Sequence, residues 1–276
     1  MMWGGAAFLS ALLILLAFLV IRLTRRARYA GSPLPDLPGS RRFEKISQPG
    51  TDALTAEDLI FFLPDISNYT RFMTGSRFSF DHAMTIVLAL VEAMIEDATK
   101  NLVFSKLEGD AALFFVEAGK HSPDVLGESV TGILSAFYRE RERLKASNIC
   151  PCRACRHLDD LDIKIFVHRG KAARFRFNNS VDLFGTDVIV LHRIMKNSID
   201  SHRYVMITDA AADSIALPDT LQPQAVEENV EHIGLIRGNA FIFGSDLIAS
   251  WAQNIRPDRR SVWSGTLSKL RENLRP

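Results

Sequence analysis

Between Trp3 and Ile21 the only polar side chain is Ser10, and Arg22, Arg25, Arg26 and Arg28 follow at once. Nineteen such residues span about 28 Å as a helix at ~1.5 Å per residue, close to the ~30 Å hydrocarbon thickness of a bilayer. The run therefore has to be set apart from whatever the rest of the chain folds into. A cleaved signal peptide, a buried core helix and a membrane anchor are the three readings. A signal peptide carries its positive charge before the apolar stretch and ends in small residues, whereas here the charge follows. A core helix shows a polar stripe, and this run has none. The pattern favours a transmembrane anchor over residues 1–24, single-pass in the cell membrane. The basic flank then places the C-terminal domain in the cytoplasm.

Composition narrows the function classes. The 276 residues carry a net charge of +1, which argues against a general nucleic-acid binder, and only three cysteines, which excludes a disulfide-built secreted scaffold. Residues 25–57 are basic and then rich in proline and glycine (Pro33, Pro35, Pro38 and Pro49 among them), as in a semi-extended linker. A globular pattern fills 58–244. The tail, 245–276, is basic and carries Trp251 and Trp263, which suits an anionic membrane surface or a solvated helix face.

Within 58–244, Leu59–Leu63 reads as a buried strand stopped by Pro64-Asp65, Ile66–Met73 as a short helix, and His82–Ala98 as a long helix with a core or dimer-facing stripe. Leu102–Leu107 and Ala111–Val116 flank Glu108-Gly109-Asp110, a hairpin signal. Ser122 and Asp124 suit the start of a helix that runs into Arg139–Lys145. Leu161–His168 and Ala172–Phe177 read as two strands around Arg169-Gly170, with His168 and Arg169 structural. Gly185–Asn197 reads as a helix, Tyr204–Ile207 as a strand and Ala240–Gly244 as the closing strand. No Gly-rich phosphate fingerprint is present, so a doubly wound nucleotide fold is disfavoured. Strands crossed by helices on one face predict an α+β sandwich of ferredoxin-like (palm) type.

Asp65 ends the first strand and Asp110 sits at the hairpin tip. If those strands are antiparallel neighbours, both carboxylates meet at one sheet end and can cradle Mg²⁺ or Mn²⁺. The competing reading makes Asp65 a helix cap and Asp110 an ordinary turn residue.

These residues resemble a family. Phe62-Leu-Pro-Asp65-Ile-Ser-Asn-Tyr-Thr70 looks like the opening signature of class III nucleotide cyclase catalytic domains, and Lys106-Leu-Glu-Gly109-Asp110 like their second. Leu161–Gly170 resembles the strand and turn that follow. Asp182-Leu-Phe-Gly185 with Arg193 resembles the dimer-interface segment, and Ile233-Gly-Leu-Ile-Arg-Gly238 the late glycine turn. The five matches are collinear over about residues 58–244. The resemblance implies a membrane-anchored homodimer that converts ATP to 3′,5′-cyclic AMP and pyrophosphate. Asp65, Asp110 and the Ile66 carbonyl would hold two Mg²⁺ or Mn²⁺ ions, Lys106 and Asp182 would read the purine of ATP, and Arg193 would stabilise the phosphate charge from the opposite subunit. One position departs: four residues before Arg193, where the family usually has an asparagine that orients the ribose, stands Ile189. The alternative is therefore a catalytically silent cyclase-homology domain that binds nucleotide or signals. Asn197 and His192, near Arg193, are the conceivable substitutes for the lost amide.

All three cysteines fall in Cys150-Pro-Cys152-Arg-Ala-Cys155-Arg-His157. Three thiolates and an imidazole supply the four ligands of a structural Zn²⁺ site, while a redox pair or buried thiols are the other readings. The cluster is not part of the cyclase pattern, and a metal- or redox-responsive adaptor built around it is a third expectation for function.

Overall fold

The computed structural model describes residues 55–252, apart from 148–149 and 178–179. The expected membrane anchor, the linker up to residue 54 and the tail beyond residue 252 lie outside the described residues.

The elements run β1 (Ala56–Ser67), α1 (Tyr69–Gly75), α2 (Phe80–Ala98), β2 (Val103–Glu108), β3 (Ala111–Glu117), α3 (Pro123–Ser147), α4 (Arg153–Arg156), β4 (Asp162–Phe177), β5 (Ser180–Phe184), α5 (Thr186–Ile194), β6 (Tyr204–Thr208), β7 (Pro223–Val230), β8 (Gly234–Ile242) and α6 (Ser245–Trp251). The sheet order is β2-β3-β1-β4-β6-β8-β7, with β5 paired to β4. Its first four strands, connected through α2 and α3, are the βαββαβ order of a ferredoxin-like core, as the sequence predicts.

Alternation along β1 divides the interior in two. Ile60, Phe62 and Ile66 pack with the apolar faces of α2 and α3, whose Leu90, Met94, Ile133 and Phe137 are fully buried. Leu59, Phe61 and Leu63 face the other way, against Val190, Leu191 and Ile194 of α5. Helices therefore cover both faces rather than one, which is why Leu59–Leu63 reads as an unbroken apolar run.

Three boundaries differ from the sequence reading. Pro64 does not stop β1. It pairs with Ile165 of β4, while the ladder to β3 is interrupted between Phe62↔Phe114 and Asp65↔Ala111, where the prolyl nitrogen has no proton to give. Residues 162–177 form one strand, not two around a turn: a Cβ on Gly170 would lie 2.2 Å from Asp187 Cγ, so this glycine admits a neighbour instead of reversing the chain. Gly238 likewise lies inside β8, where a Cβ would sit 2.4 Å from the Ile207 carbonyl oxygen. The late turn instead precedes β8, at His232 (φ 64°) and Gly234 (φ 105°), and β7, too polar to show as a buried strand, completes the hairpin.

Asn68, in the left-handed region at φ 65°, makes the corner between β1 and α1 and donates its side-chain amide to the Asp160 carbonyl at 2.9 Å. Trp251 of α6 stacks on buried Tyr138 at 6.0 Å, so the described fold continues past residue 244. The Tyr138 hydroxyl in turn donates to Asp162 at the start of β4.

Candidate functional site

The register that pairs Asp65 with Ala111 brings Asp110, one residue earlier, beside the end of β1. Gly109 (φ 71°) makes the tight turn that leaves Asp110 there. Burial pushes the Asp65 carboxyl up from the usual range, partly offset by the Lys164 charge and by hydrogen bonding to the Asp110 carboxyl. Burial and the adjacent Asp65 charge push Asp110 further, to about 6. Two hard oxygen donors that resist carrying two negative charges side by side suit a divalent cation such as Mg²⁺ or Mn²⁺. Ile66 follows in β1 with its hydrocarbon side chain buried, and its main-chain carbonyl is the one oxygen the residue has.

Lys106 and Asp182 also meet. Ser105 Oγ donates to the Val181 carbonyl at 2.6 Å and fastens β2 to β5, and in the next position Lys106 Nζ lies 2.9 Å from Asp182 Oδ1. Despite partial burial, the hydrogen bond from Lys106 holds the Asp182 carboxyl below its ordinary value, and the two carboxylate partners hold the ammonium above its own. The second partner is Glu108, 3.2 Å from Lys106, which also bonds His192 Nε2 of α5. His192 Nδ1 reaches the Val188 carbonyl at 2.6 Å. Glu108 was not among the predicted site residues and His192 was named only as a substitute for the lost amide, although Glu108 was within reach of sequence reasoning. It lies two positions after Lys106 and so shares its face of β2.

Arg193 stands apart. It is exposed on α5, and its side chain has no hydrogen-bond or ion-pair partner among the described residues. Among the described residues no hydrogen bond or ion pair joins it to Asp65 or Asp110. Ile189, one turn earlier on the same face, is 53% exposed. Asn197 is not free to replace the missing amide: its nitrogen donates to the Ile194 carbonyl at 2.8 Å and its oxygen accepts from the Tyr204 hydroxyl at 3.0 Å. His192 is held by Glu108.

The cysteines gather as expected, but with a different histidine. Cys150, Cys152 and Cys155 lie with His82 of α2, their ligand atoms all within 4.8 Å of one another. His157 is turned to Asp160, with Nδ1 3.1 Å from Oδ2. Burial raises the Cys152 thiol, but hydrogen bonds from Cys155, His82 and Cys150 outweigh it and bring it down to about 6.

Residues 87–204 match the sequence model of a family described as "Protein of unknown function (DUF2652)". An uncharacterized protein of Mycobacterium tuberculosis is 36% identical over 126 residues, which are 46% of this chain and 58% of that protein. The match thus spans little more than half of the relative. Adenylate cyclases of Trypanosoma brucei in their monomeric state superpose with a TM-score of 0.50 at 14% identity, over 70% of this chain and 92% of theirs. A bacterial light-regulated adenylyl cyclase superposes with a TM-score of 0.50 at 14% identity, over 91% of this chain and 72% of its own. The chain therefore has the mixed α/β fold of class III nucleotide cyclase catalytic domains, and its five sequence signatures resemble theirs in order.

Proposed function

We propose that this domain is a nucleotide cyclase that converts ATP to 3′,5′-cyclic AMP and pyrophosphate as a homodimer. The observation that carries the reading is the meeting of Asp65 of β1 and Asp110 of the β2–β3 turn at one sheet end, in this fold. Bound there, two Mg²⁺ or Mn²⁺ ions would acidify the ribose 3′-hydroxyl and neutralise the triphosphate, the chemistry in-line attack on the α-phosphate needs. Asp65, Asp110 and the Ile66 carbonyl would hold them. Lys106 would turn from Asp182 to donate to adenine N1, and Asp182 would accept from the 6-amino group. Arg193, without a hydrogen-bond or ion-pair partner among the described residues, would present its guanidinium to the phosphates of the site in the second subunit. The exposed Phe175, Phe184 and Ile189 supply apolar surface for that pairing.

The purified protein incubated with ATP and Mn²⁺ is expected to release cyclic AMP, and Asp65→Ala and Asp110→Ala each to abolish it. Product that persists in both variants would remove the metal site assigned here.

A second reading, a cyclase-like domain that binds nucleotide without turnover, is favoured by Ile189 and by the prior engagement of Asn197. Loss of one positioning hydrogen bond costs on the order of 1–3 kcal/mol, about ten- to hundredfold in rate. On the cyclase reading Ile189→Asn raises the rate by about that factor; a variant still devoid of activity while binding ATP would select the silent module. We also infer a cytoplasmic domain held at the cell membrane by Trp3–Ile21, with release of the chain by alkaline carbonate as the result that would exclude it.

A further inference from the structure

We propose that His82, Cys150, Cys152 and Cys155 form a tetrahedral Zn²⁺ site that staples the segment between α3 and β4 to the start of α2. In a Cys₃His site with Zn–S of about 2.3 Å and Zn–N of about 2.0 Å, tetrahedral angles put sulfur and nitrogen about 3.5 Å apart. Cys152 Sγ lies 3.4 Å and Cys155 Sγ 3.7 Å from His82 Nδ1. These two distances bracket the value that a shared metal requires, and the four ligand atoms lie within one 4.8 Å cluster. Three thiolates and an imidazole are the donor set of a structural zinc, and four protein ligands leave no open position for catalysis.

Local structure gives the cluster a task. α4 has only four residues, too few to hold a helix by its own hydrogen bonds. Cys152 stands at the N-cap position and Cys155 lies three positions on, so both thiols face one side. On the other side Ala154 and Leu158 are buried in the core, and the Ala154 amide reaches Ser79 Oγ at 3.4 Å. The cross-link thus spans more than 65 residues of sequence, from the first turn of α2 to the stretch before β4. It braces the corner that follows Asp65, where Asn68 bonds the Asp160 carbonyl at 2.9 Å. The site is separate from the nucleotide chemistry, and its test does not depend on it.

The full-length protein, purified reduced and without chelator, is expected to contain one zinc per chain by elemental analysis. After exchange it should give the intense visible absorption of a tetrahedral cobalt thiolate. His82→Ala lowers zinc affinity more than hundredfold in competition with a chromophoric chelator, beyond the 10- to 100-fold typical of outer-shell partners. His157→Ala leaves it unchanged, and His82→Cys, which keeps four ligands, retains the metal. Because His82→Ala can fail to fold, the wild-type metal content and the His82→Cys and His157→Ala pair decide by themselves. Wild-type protein without zinc, a disulfide among the three cysteines in its place, or loss of zinc in His157→Ala with retention in His82→Ala would overturn the proposal.

Discussion

His168 lies in the core with 5% of its surface exposed, its Nδ1 2.8 Å from Thr208 Oγ1 and its Nε2 3.5 Å from Asp187 Oδ1, without a hydrogen-bond partner among the described residues. Burial holds its pKa below the usual 6.5, although Asp187 pulls the other way. The unfolded chain therefore takes up this proton at higher pH than the folded one, so stability is full above pH 6.5 and falls as the pH drops through that value. His168→Gln is expected to flatten that limb of the curve in urea melts between about pH 7 and pH 5. An unchanged slope would remove His168 as its source. The sequence places this residue beside Arg169-Gly170 and reads it as structural, in keeping with its burial, but the Thr208 partner 40 positions away comes only from the parallel pairing of β4 with β6.

Among the elements, glycine carried the least reliable signal. Gly170 and Gly238 look like turns because local sequence cannot distinguish a glycine that bends the chain from one that makes room for another strand or helix. The distinction has an energetic consequence. A methyl at Gly238 would meet backbone, the Ile207 carbonyl oxygen at 2.4 Å and Thr208 Cα at 2.8 Å, whereas Gly244 has nothing within 4 Å. Gly238→Ala is expected to cost about 1–3 kcal/mol by strain between β6 and β8, and Gly244→Ala to be near neutral. Equal effects in denaturant titrations would contradict the packing described. Helices were more legible: α2 and α3 show their apolar periodicity over five or more turns, long enough for the pattern to stand clear of noise.

For the whole molecule, the cyclase reading divides one active site between two chains. Asp65 and Asp110 lie at one end of the sheet, while Arg193 is exposed on α5 without a hydrogen-bond or ion-pair partner among the described residues. Asp65→Ala and Arg193→Ala variants are each expected to be inactive, yet unfolding and refolding them together restores activity. Random pairing gives half heterodimers, each with one intact site of two, so the recovered rate is roughly a quarter of wild type. No recovery, with mixed dimers present, would place Asp65 and Arg193 in the same site of one chain.

What the sequence alone determined is local or periodic: the hairpin that carries Asp110, the long helices, the concentration of all cysteines in one segment, and the residue types at Asp65, Lys106, Asp182 and Arg193. The tertiary structure decided which of these meet. It brought Asp65 to Asp110 through strand register, and Lys106 to Asp182 through the β2–β5 contact. It added Glu108, tied His192 to it, and exchanged His157 for His82 at the thiols. His157 is two residues from Cys155 and His82 is 73 away, but α2 packs its first turn against α4. Spacing along the chain ranks neighbours by sequence separation, whereas a ligand set or a charge pair is chosen by distance in space, which burial of the apolar faces sets.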